Sequence, residues 1–166
     1  MKHKHNQAAT NGKGFTIIEV VLVLAIAGLI FLMVFIALPA LQRSQRDTQR
    51  KDDLSRVQTA VTRYSSNSRG NLPDFSNNFV SSYLKTGGDS FIDPSGREYS
   101  FTEDNLSAPG GAAANAAYDA DAATAVIYWT RGGTCDGESV TRNAAATRKV
   151  ALRVGLEGGG VACVNN

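Results

Sequence analysis

The chain has 166 residues, a formal net charge of +2 and 43% hydrophobic residues, which leaves room for one domain of ordinary size. Residues 1–70 contain ten Lys and Arg against four Asp and Glu, whereas residues 71–166 contain seven against eleven. The C-terminal part is therefore mildly acidic. This charge argues against bulk electrostatic binding of nucleic acid.

An apolar run extends from Val20 to Leu38 and directly follows the stretch 14–19 (GFTIIE). From Phe15 to Leu41 the only ionisable side chain is Glu19. Such a run can cross a hydrocarbon core of about 30 Å, which needs about 20 helical residues. A charged group inside a bilayer costs on the order of 2.5–3.5 kcal/mol, so Glu19 is predicted to be a functional group with a partner.

An ordinary secretory signal peptide is one alternative for this N-terminus. Such a peptide has a basic start, an apolar core of about 7–15 residues and a small-residue cleavage site after that core. Lys2, Lys4 and Lys13 supply basic residues, but the apolar run ends in residues 38–42 (LPALQ), without an A-x-A-like site and a polar exit. The run is therefore expected to be retained, and a plain single-span anchor stays open as an interpretation.

A family resemblance is carried by residues 13–19 (KGFTIIE). This stretch is similar to the processing site of type IV pilins and of the related pseudopilins of type II secretion. In that family a prepilin peptidase on the cytoplasmic side of the membrane cuts after the glycine and methylates the new N-terminal residue. The resemblance implies cleavage between Gly14 and Phe15, N-methylation of Phe15, and a role in assembly for Thr16 and Glu19. Beyond Leu41 it rests on architecture alone.

The charges that flank the span leave its orientation open. Basic residues precede it, but Arg43, Arg46, Arg50 and Lys51 follow it closely, so the positive-inside rule is ambiguous. The resemblance decides the orientation, because prepilins place the leader in the cytoplasm and the globular part outside.

The helix is predicted to continue past the membrane to about Arg69, where a Ser-, Asn- and Gly-rich stretch leads to Pro73. Asp52 and Arg56 form a predicted i,i+4 ion pair. Apolar residues recur at steps of three and four along one face, which is expected to pack on the chain's own domain: Leu54, Val57, Val61 and Tyr64.

Gly28 and Pro39 interrupt this helix. Glycine costs about 1 kcal/mol in a helix interior and proline about 3 kcal/mol, so a kink is predicted near residues 36–39. In pilin filaments the segment between such a glycine and proline can lose helicity, and the resemblance implies a candidate melting segment here. Pro39 lies roughly one helical turn farther from Gly28 than in well-known members, which is a departure from the family pattern.

The remaining sequence predicts a small α+β domain. The resemblance implies a type IV pilin-like fold, in which the long N-terminal helix packs on a small antiparallel β-sheet. A short helix is predicted at Phe79–Leu84, a hairpin turn at Gly158–Gly160 and a long exposed loop at Ala108–Ala123. The predicted strands are residues 98–101, 125–130, 149–156 and 161–164.

The resulting organisation has four parts. They are a leader at 1–14, the membrane or filament-core half of the helix at 15–41, its extramembrane half at 42–70, and a globular α+β head at 71–166.

Cys135 and Cys163 are the only cysteines, and both lie in the part expected outside the membrane. An oxidising exterior favours a disulfide, with two free thiols as the alternative. The paired cysteines would enclose a C-terminal loop that resembles the disulfide-bounded region of many pilins. Asp119 and Asp121 invite comparison with the calcium sites of secretion pseudopilins, but they lack an EF-hand-type glycine and glutamate, so no metal site is predicted.

Catalysis has little support in the sequence. Both histidines, His3 and His5, lie in the predicted leader, and two imidazoles without a third ligand do not make a zinc site. The mature chain would then lack histidine, which removes histidine-based triads. Several carboxylates are expected to be solvated surface groups: Asp93, Glu98, Glu103 and Asp104.

The predicted function is that of a structural subunit of a type IV pilus, without a cofactor. The alternatives are a type II secretion pseudopilin and a single-span binding protein that never polymerises. The partners implied by the resemblance are further copies of the chain, the prepilin peptidase, the pilus assembly platform and its ATPase, and the membrane. A host-cell surface or DNA would be the partner of a filament that serves adhesion, twitching motility or DNA uptake.

Overall fold

The computed structural model describes residues 14–104, 119 and 124–166. Helix α1 covers Ile17–Asn67. Helix α2, Asn77–Phe79, continues into a π-helical turn at Val80–Leu84, and a 3-10 turn follows at Thr86–Gly88. The strands in the described part are β1 Glu98–Glu103, β2 Thr124–Arg131, β3 Gly133–Asp136, β4 Ser139–Arg142, β5 Val150–Gly155 and β6 Val161–Asn165.

The chain divides into two compact units at Pro39. In the first unit every side chain from Phe15 to Pro39 is exposed, except the half-buried Ala27. This part of α1 is apolar on all sides and is long and apolar enough to cross a membrane. Pro39 lies inside α1, which is one helix from Ile17 to Asn67. The kink near residues 36–39 and the melting segment after Gly28 stay predictions.

The second unit is built on a four-stranded sheet with the order β1-β2-β5-β6. Strands β2, β5 and β6 pair antiparallel, but β1 pairs parallel with β2, in the register Phe101 to Ile127. The prediction of an antiparallel sheet was therefore wrong for one edge, and the layout is α+β with a mixed sheet. Parallel neighbours need a connection of about a dozen residues or more, and the 20 residues between Glu103 and Thr124 supply it.

The predicted apolar face of α1 forms one side of the core. Leu54, Val57 and Val61 are fully buried, and Tyr64 packs at the edge of the same cluster. The sheet supplies the other side through Ile127, Leu152 and Val154 among others. An aromatic group closes the core, with the Phe75 ring stacked 5.4 Å from Phe101 and 4.9 Å from Trp129.

Four of the predicted strands are present with bounds shifted by a few residues, and β5 and β6 pair across the predicted turn at Gly158–Gly160. The short predicted helix at Phe79–Leu84 appears as α2 and its π-helical continuation. The Ala108–Ala123 loop lies outside the described residues, apart from Asp119.

The hairpin β3–β4 was not predicted. Its two strands are joined by Gly137-Glu138, and Gly137 adopts a φ of 61°, which glycine takes at no steric cost. The Asp136-Gly137 dipeptide is a hairpin signal that sequence reasoning could have used.

Candidate functional site

The first turn of α1 places Thr16 and Glu19 in contact. The Glu19 carboxylate accepts hydrogen bonds from the backbone N–H and the hydroxyl of Thr16, both at 2.8 Å. The Thr16 hydroxyl in turn accepts from the backbone N–H of Glu19 at 3.3 Å. This is a capping box, in which two otherwise unpaired donors at the start of a helix are satisfied reciprocally.

The capping box gives Glu19 a role at the start of its own helix. Glu19 was predicted to be a functional group with a partner, and the partner that the structure shows is Thr16, at the start of its own helix. The sequence does contain the pattern of a capping box. In that pattern, Thr or Ser is followed three residues later by Glu, just before an apolar run. The negative charge also lies at the positive end of the helix dipole, where it is stabilising.

The surface beyond this cap is apolar. Exposed side chains cover the full circumference of the helix from Val20 to Leu38. A shallow groove beside the carboxylate is lined by Phe15, Glu19, Val20, Val23 and Leu24. Because exposed apolar surface of this extent marks an interaction or membrane site, this segment is the first candidate functional surface.

Gly14 and Phe15, the predicted cleavage pair, precede the helix in an exposed segment. A side chain added at Gly14 would meet no heavy atom within 4 Å. Both residues are thus exposed within the part of the chain that the structure describes.

A second polar site lies in the other unit, where charged residues of α1 meet two loops of the head. We call it the Arg50 cluster, and it consists of Arg46, Asp47, Arg50, Asp93 and Glu157. The Arg50 guanidinium is fully buried and is bound to Asp93 at 2.6 Å, to Glu157 at 2.7 Å and to Asp47 at 3.0 Å.

The remaining contacts of the cluster involve the turn between β5 and β6. Arg46 holds Glu157 with two guanidinium nitrogens, at distances of 2.6 to 3.0 Å. The Asp47 carboxylate accepts the backbone N–H groups of Glu157 at 2.7 Å and of Gly158 at 2.8 Å. A Cβ at Gly158 would lie only 3.0 Å from the Asp47 carboxylate, so the absence of a side chain permits this approach.

The electrostatics of the cluster follow from these contacts. The hydrogen bonds from Arg46, with those from Arg50, lower the pKa of Glu157 to about 2. Burial alone would raise the pKa of Asp93, but hydrogen bonds from Arg50 and Ser95 outweigh it and hold that pKa below its usual value. Burial likewise opposes the charge of Arg50, yet its bonds to Asp93 and Glu157 raise its pKa further. Arg50, Asp93 and Glu157 are thus all ionised at neutral pH.

Two of the four carboxylates expected on the surface are in fact buried. Asp93 belongs to the Arg50 cluster, and Asp104 is 5% exposed and paired with the buried Arg153. Glu98 and Glu103 are exposed, as expected. A buried carboxylate needs a cation or several donors, and here each has an arginine from a distant part of the chain.

The predicted pair of Asp52 with Arg56 was also wrong. Arg56 contacts Asp53 at 3.3 Å and Asp89 at 3.8 Å instead. Asp53 is additionally held by the Tyr99 hydroxyl, which donates to it at 3.1 Å. A different helix neighbour, Asp53 at i,i+3, and one residue of the head, Asp89, therefore take the place of the predicted partner.

The disulfide between Cys135 and Cys163 is present, as predicted, and it joins β3 to β6 with a Cα–Cα distance of 5.9 Å. It packs beside a small apolar cluster of Val140 and Ala151. A crosslink across 28 residues is expected to contribute roughly 3–4 kcal/mol in the chain-entropy model. The hairpin that sequence reasoning missed is thereby fastened to the edge of the main sheet.

The described residues contain no group of three or more His, Cys, Asp and Glu side chains that could hold a metal ion. The Asp119 carbonyl accepts a hydrogen bond from Arg97 at 2.6 Å, whereas Asp121 lies outside the described residues. Comparisons with protein-family models, with curated proteins and with solved structures return no match.

Proposed function

We propose that this chain is a type IV pilin-like subunit. In this proposal a prepilin peptidase cuts between Gly14 and Phe15 and methylates Phe15, and residues 15–41 hold the chain in the membrane and then polymerise into a surface filament. The role is structural rather than enzymatic. The assembly platform with its ATPase, the peptidase and further copies of the chain are the proposed partners.

One observation carries the proposal: residues 17–39 form a helix that is apolar and exposed around its circumference, with its single carboxylate in the first turn. A passive anchor needs apolar residues only, and a carboxylate near its end adds an insertion penalty. A subunit that packs helix against helix uses that carboxylate, because it can meet the new amine of Phe15 on its own or a neighbouring chain. The stretch 13–19 supplies the processing motif that would create this amine.

The folded unit supports the same proposal in a coarser way. It is a small α+β domain with a disulfide, and the second half of α1 is one layer of its core. Such a domain keeps its fold outside the cell, where disulfides persist. A filament displaying it would serve adhesion, twitching motility or DNA uptake.

Processing is tested first, with a matched pair of glycine substitutions. Gly14→Val is expected to block the cut and leave the leader attached, because it places a branched side chain at the cleaved bond. Gly12→Val makes the same change two residues upstream and should leave processing intact. Mass spectrometry of the purified chain should find Phe15 with one added methyl group in the wild type and in Gly12→Val. An intact leader in the wild type, or a cut after Ala40, would contradict the proposal.

Filament formation is tested next, because processing is shared with secretion pseudopilins. Imaging of cell-surface filaments with and without the gene separates the three functions. Filaments labelled by an antibody against the head are expected only when the gene is present. A processed chain that stays in the membrane and affects secretion would indicate a pseudopilin, and an unprocessed chain a single-span binding protein.

A further inference from the structure

The helical segment that follows Pro39 is attached to its domain by charges. Between Ala40 and Asp52 the side chains that are not exposed are Arg46, Asp47 and Arg50. The apolar side chains of this segment, including Leu41, are exposed. The first apolar side chain of α1 that enters the core is Leu54. About three turns of helix are therefore held without a hydrophobic anchor.

The contacts that hold this segment converge on two loops. One is the β5–β6 turn, which contributes Glu157 and the N–H of Gly158. The other precedes β1 and contributes Asp93, whose carboxylate also accepts the backbone N–H of Ser95 at 2.9 Å. Each of the three helix residues therefore reaches across to a part of the chain that is 43 to 111 residues away.

We propose that the Arg50 cluster is an electrostatic latch, which holds residues 40–52 on the head and whose opening releases this segment without unfolding the apolar core. The segment would open as a separate unit because the contacts that hold it are polar, whereas the apolar side chains of α1 that pack in the core begin at Leu54. Regions held by few apolar contacts are those that open locally at low free energy. The inference concerns the folded chain and does not depend on assembly into filaments.

The latch is sensitive to the loss of one member because its charges are nearly balanced. Arg46 and Arg50, together with Arg97 at 3.9 Å from Asp93, oppose the three carboxylates of Asp47, Asp93 and Glu157. Removing Arg50 takes away the one fully buried guanidinium among them and leaves three carboxylates against two guanidinium groups. Breaking a buried pair in this way leaves an uncompensated charge, which is far more unfavourable than the loss of an exposed pair.

Amide hydrogen exchange of the full chain in detergent micelles, read by mass spectrometry, tests the latch. In Arg50→Gln, amides of residues 42–52 are expected to exchange at least about a hundredfold faster than in the wild type. Amides of residues 54–66 should change by less than about threefold. Arg43→Gln, which removes the same charge from an exposed position of the same segment, should leave both segments as in the wild type.

Two further variants keep the test decisive if Arg50→Gln does not fold. Glu157→Gln removes one carboxylate and should give the same pattern with a smaller acceleration. Arg50→Lys keeps the charge but lacks the planar fork that binds Asp93 through two nitrogens, so an intermediate rate is expected. Equal acceleration of residues 42–52 and 54–66 in these variants would show one cooperative unit and overturn the latch. Unchanged exchange rates in all of these variants would also overturn the latch.

Discussion

Two stretches of the same helix, residues 20–38 and residues 54–64, differ in where their apolar surface finds a partner. The first is apolar on every side, and among the described residues its side chains are exposed except for the half-buried Ala27. The second restricts its apolar side chains to one face, and that face is buried against the sheet. A helix that is apolar all round must find its partner in a membrane or another chain, whereas a one-sided helix can use its own domain.

A third stretch of the helix, residues 40–52, lies between these two. Residues 40–52 belong to neither pattern, because they bury charged groups instead of apolar ones. One helix thus carries three kinds of attachment in succession, and each should respond to a different perturbation.

The largest effect is expected at Glu19, which directly precedes the exposed apolar stretch, in the proposed filament. Glu19→Ala should reduce the number of filaments at least about tenfold while leaving the chain inserted and the head folded. Losing one member of a buried charge pair costs roughly 3–5 kcal/mol, and that penalty would apply at every contact between subunits. Filaments are counted by electron microscopy, and the fold is read from the fluorescence of Trp129, the only tryptophan.

Glu19→Gln separates the charge from the capping box. Glutamine fits the capping position as glutamate does, so this variant keeps the local hydrogen bonds and removes the charge. Filaments should be lost in both variants if the charge acts between subunits. Wild-type filament numbers in Glu19→Gln, with loss in Glu19→Ala, would show that Glu19 serves its own helix start.

A matched pair of leucine substitutions contrasts the two stretches directly. Leu54→Ala should lower the free energy of unfolding of the head by about 2–5 kcal/mol, because Leu54 is fully buried and truncation leaves a cavity. Leu38→Ala should change it by less than about 0.5 kcal/mol, because that side chain is exposed. Denaturant titration followed by Trp129 fluorescence measures both. Equal losses of unfolding free energy in the two variants would mean that the two stretches do not differ in the burial of their apolar side chains.

The smallest of these effects is a pH dependence from the charged middle segment. The pKa of Glu157 is about 2 in the folded chain, below the ordinary 4.5, so its contribution is complete above about pH 5 and is lost as the pH falls towards 2. The lowered pKa of Asp93 acts in the same direction. We expect the head to lose on the order of 1–3 kcal/mol of unfolding free energy between pH 6 and pH 3.

Glu157→Gln should reduce this loss, because the titrating group is gone, whereas Glu138→Gln at an exposed position should leave it unchanged. The measurement is the urea midpoint at each pH. Identical pH profiles in the wild type and Glu157→Gln would show that Glu157 does not couple protonation to folding.

The elements that sequence reasoning predicted are those with a local signature. The steps of three and four from Leu54 to Tyr64 correctly predicted the buried face of α1, and the helix ends at Asn67, two residues before the predicted Arg69. Runs of strand-forming residues predicted the strands β1, β2, β5 and β6, and the glycines at 158–160 predicted the hairpin of β5 and β6.

The features that were missed depend on distant parts of the chain or on weak local signals. The pattern of residues in a strand indicates where the strand lies, but not which strand it pairs with or in which direction. The parallel pairing of β1 with β2 was missed for this reason. Arg50 and Glu157 are 107 residues apart, and nothing near either residue indicates the other. The short strands β3 and β4 contain few apolar residues. The capping box of Thr16 and Glu19 was not predicted, although its two residues lie only three positions apart.

The sequence separation of the Arg50 cluster has a kinetic consequence. Contacts that close a loop of more than 100 residues lose much chain entropy when they form, so they are expected after the helix and the β5–β6 hairpin have formed. Interactions absent from the folding transition state act mainly on the unfolding rate. The cluster should therefore lengthen the lifetime of the folded head while having little influence on how fast that head folds.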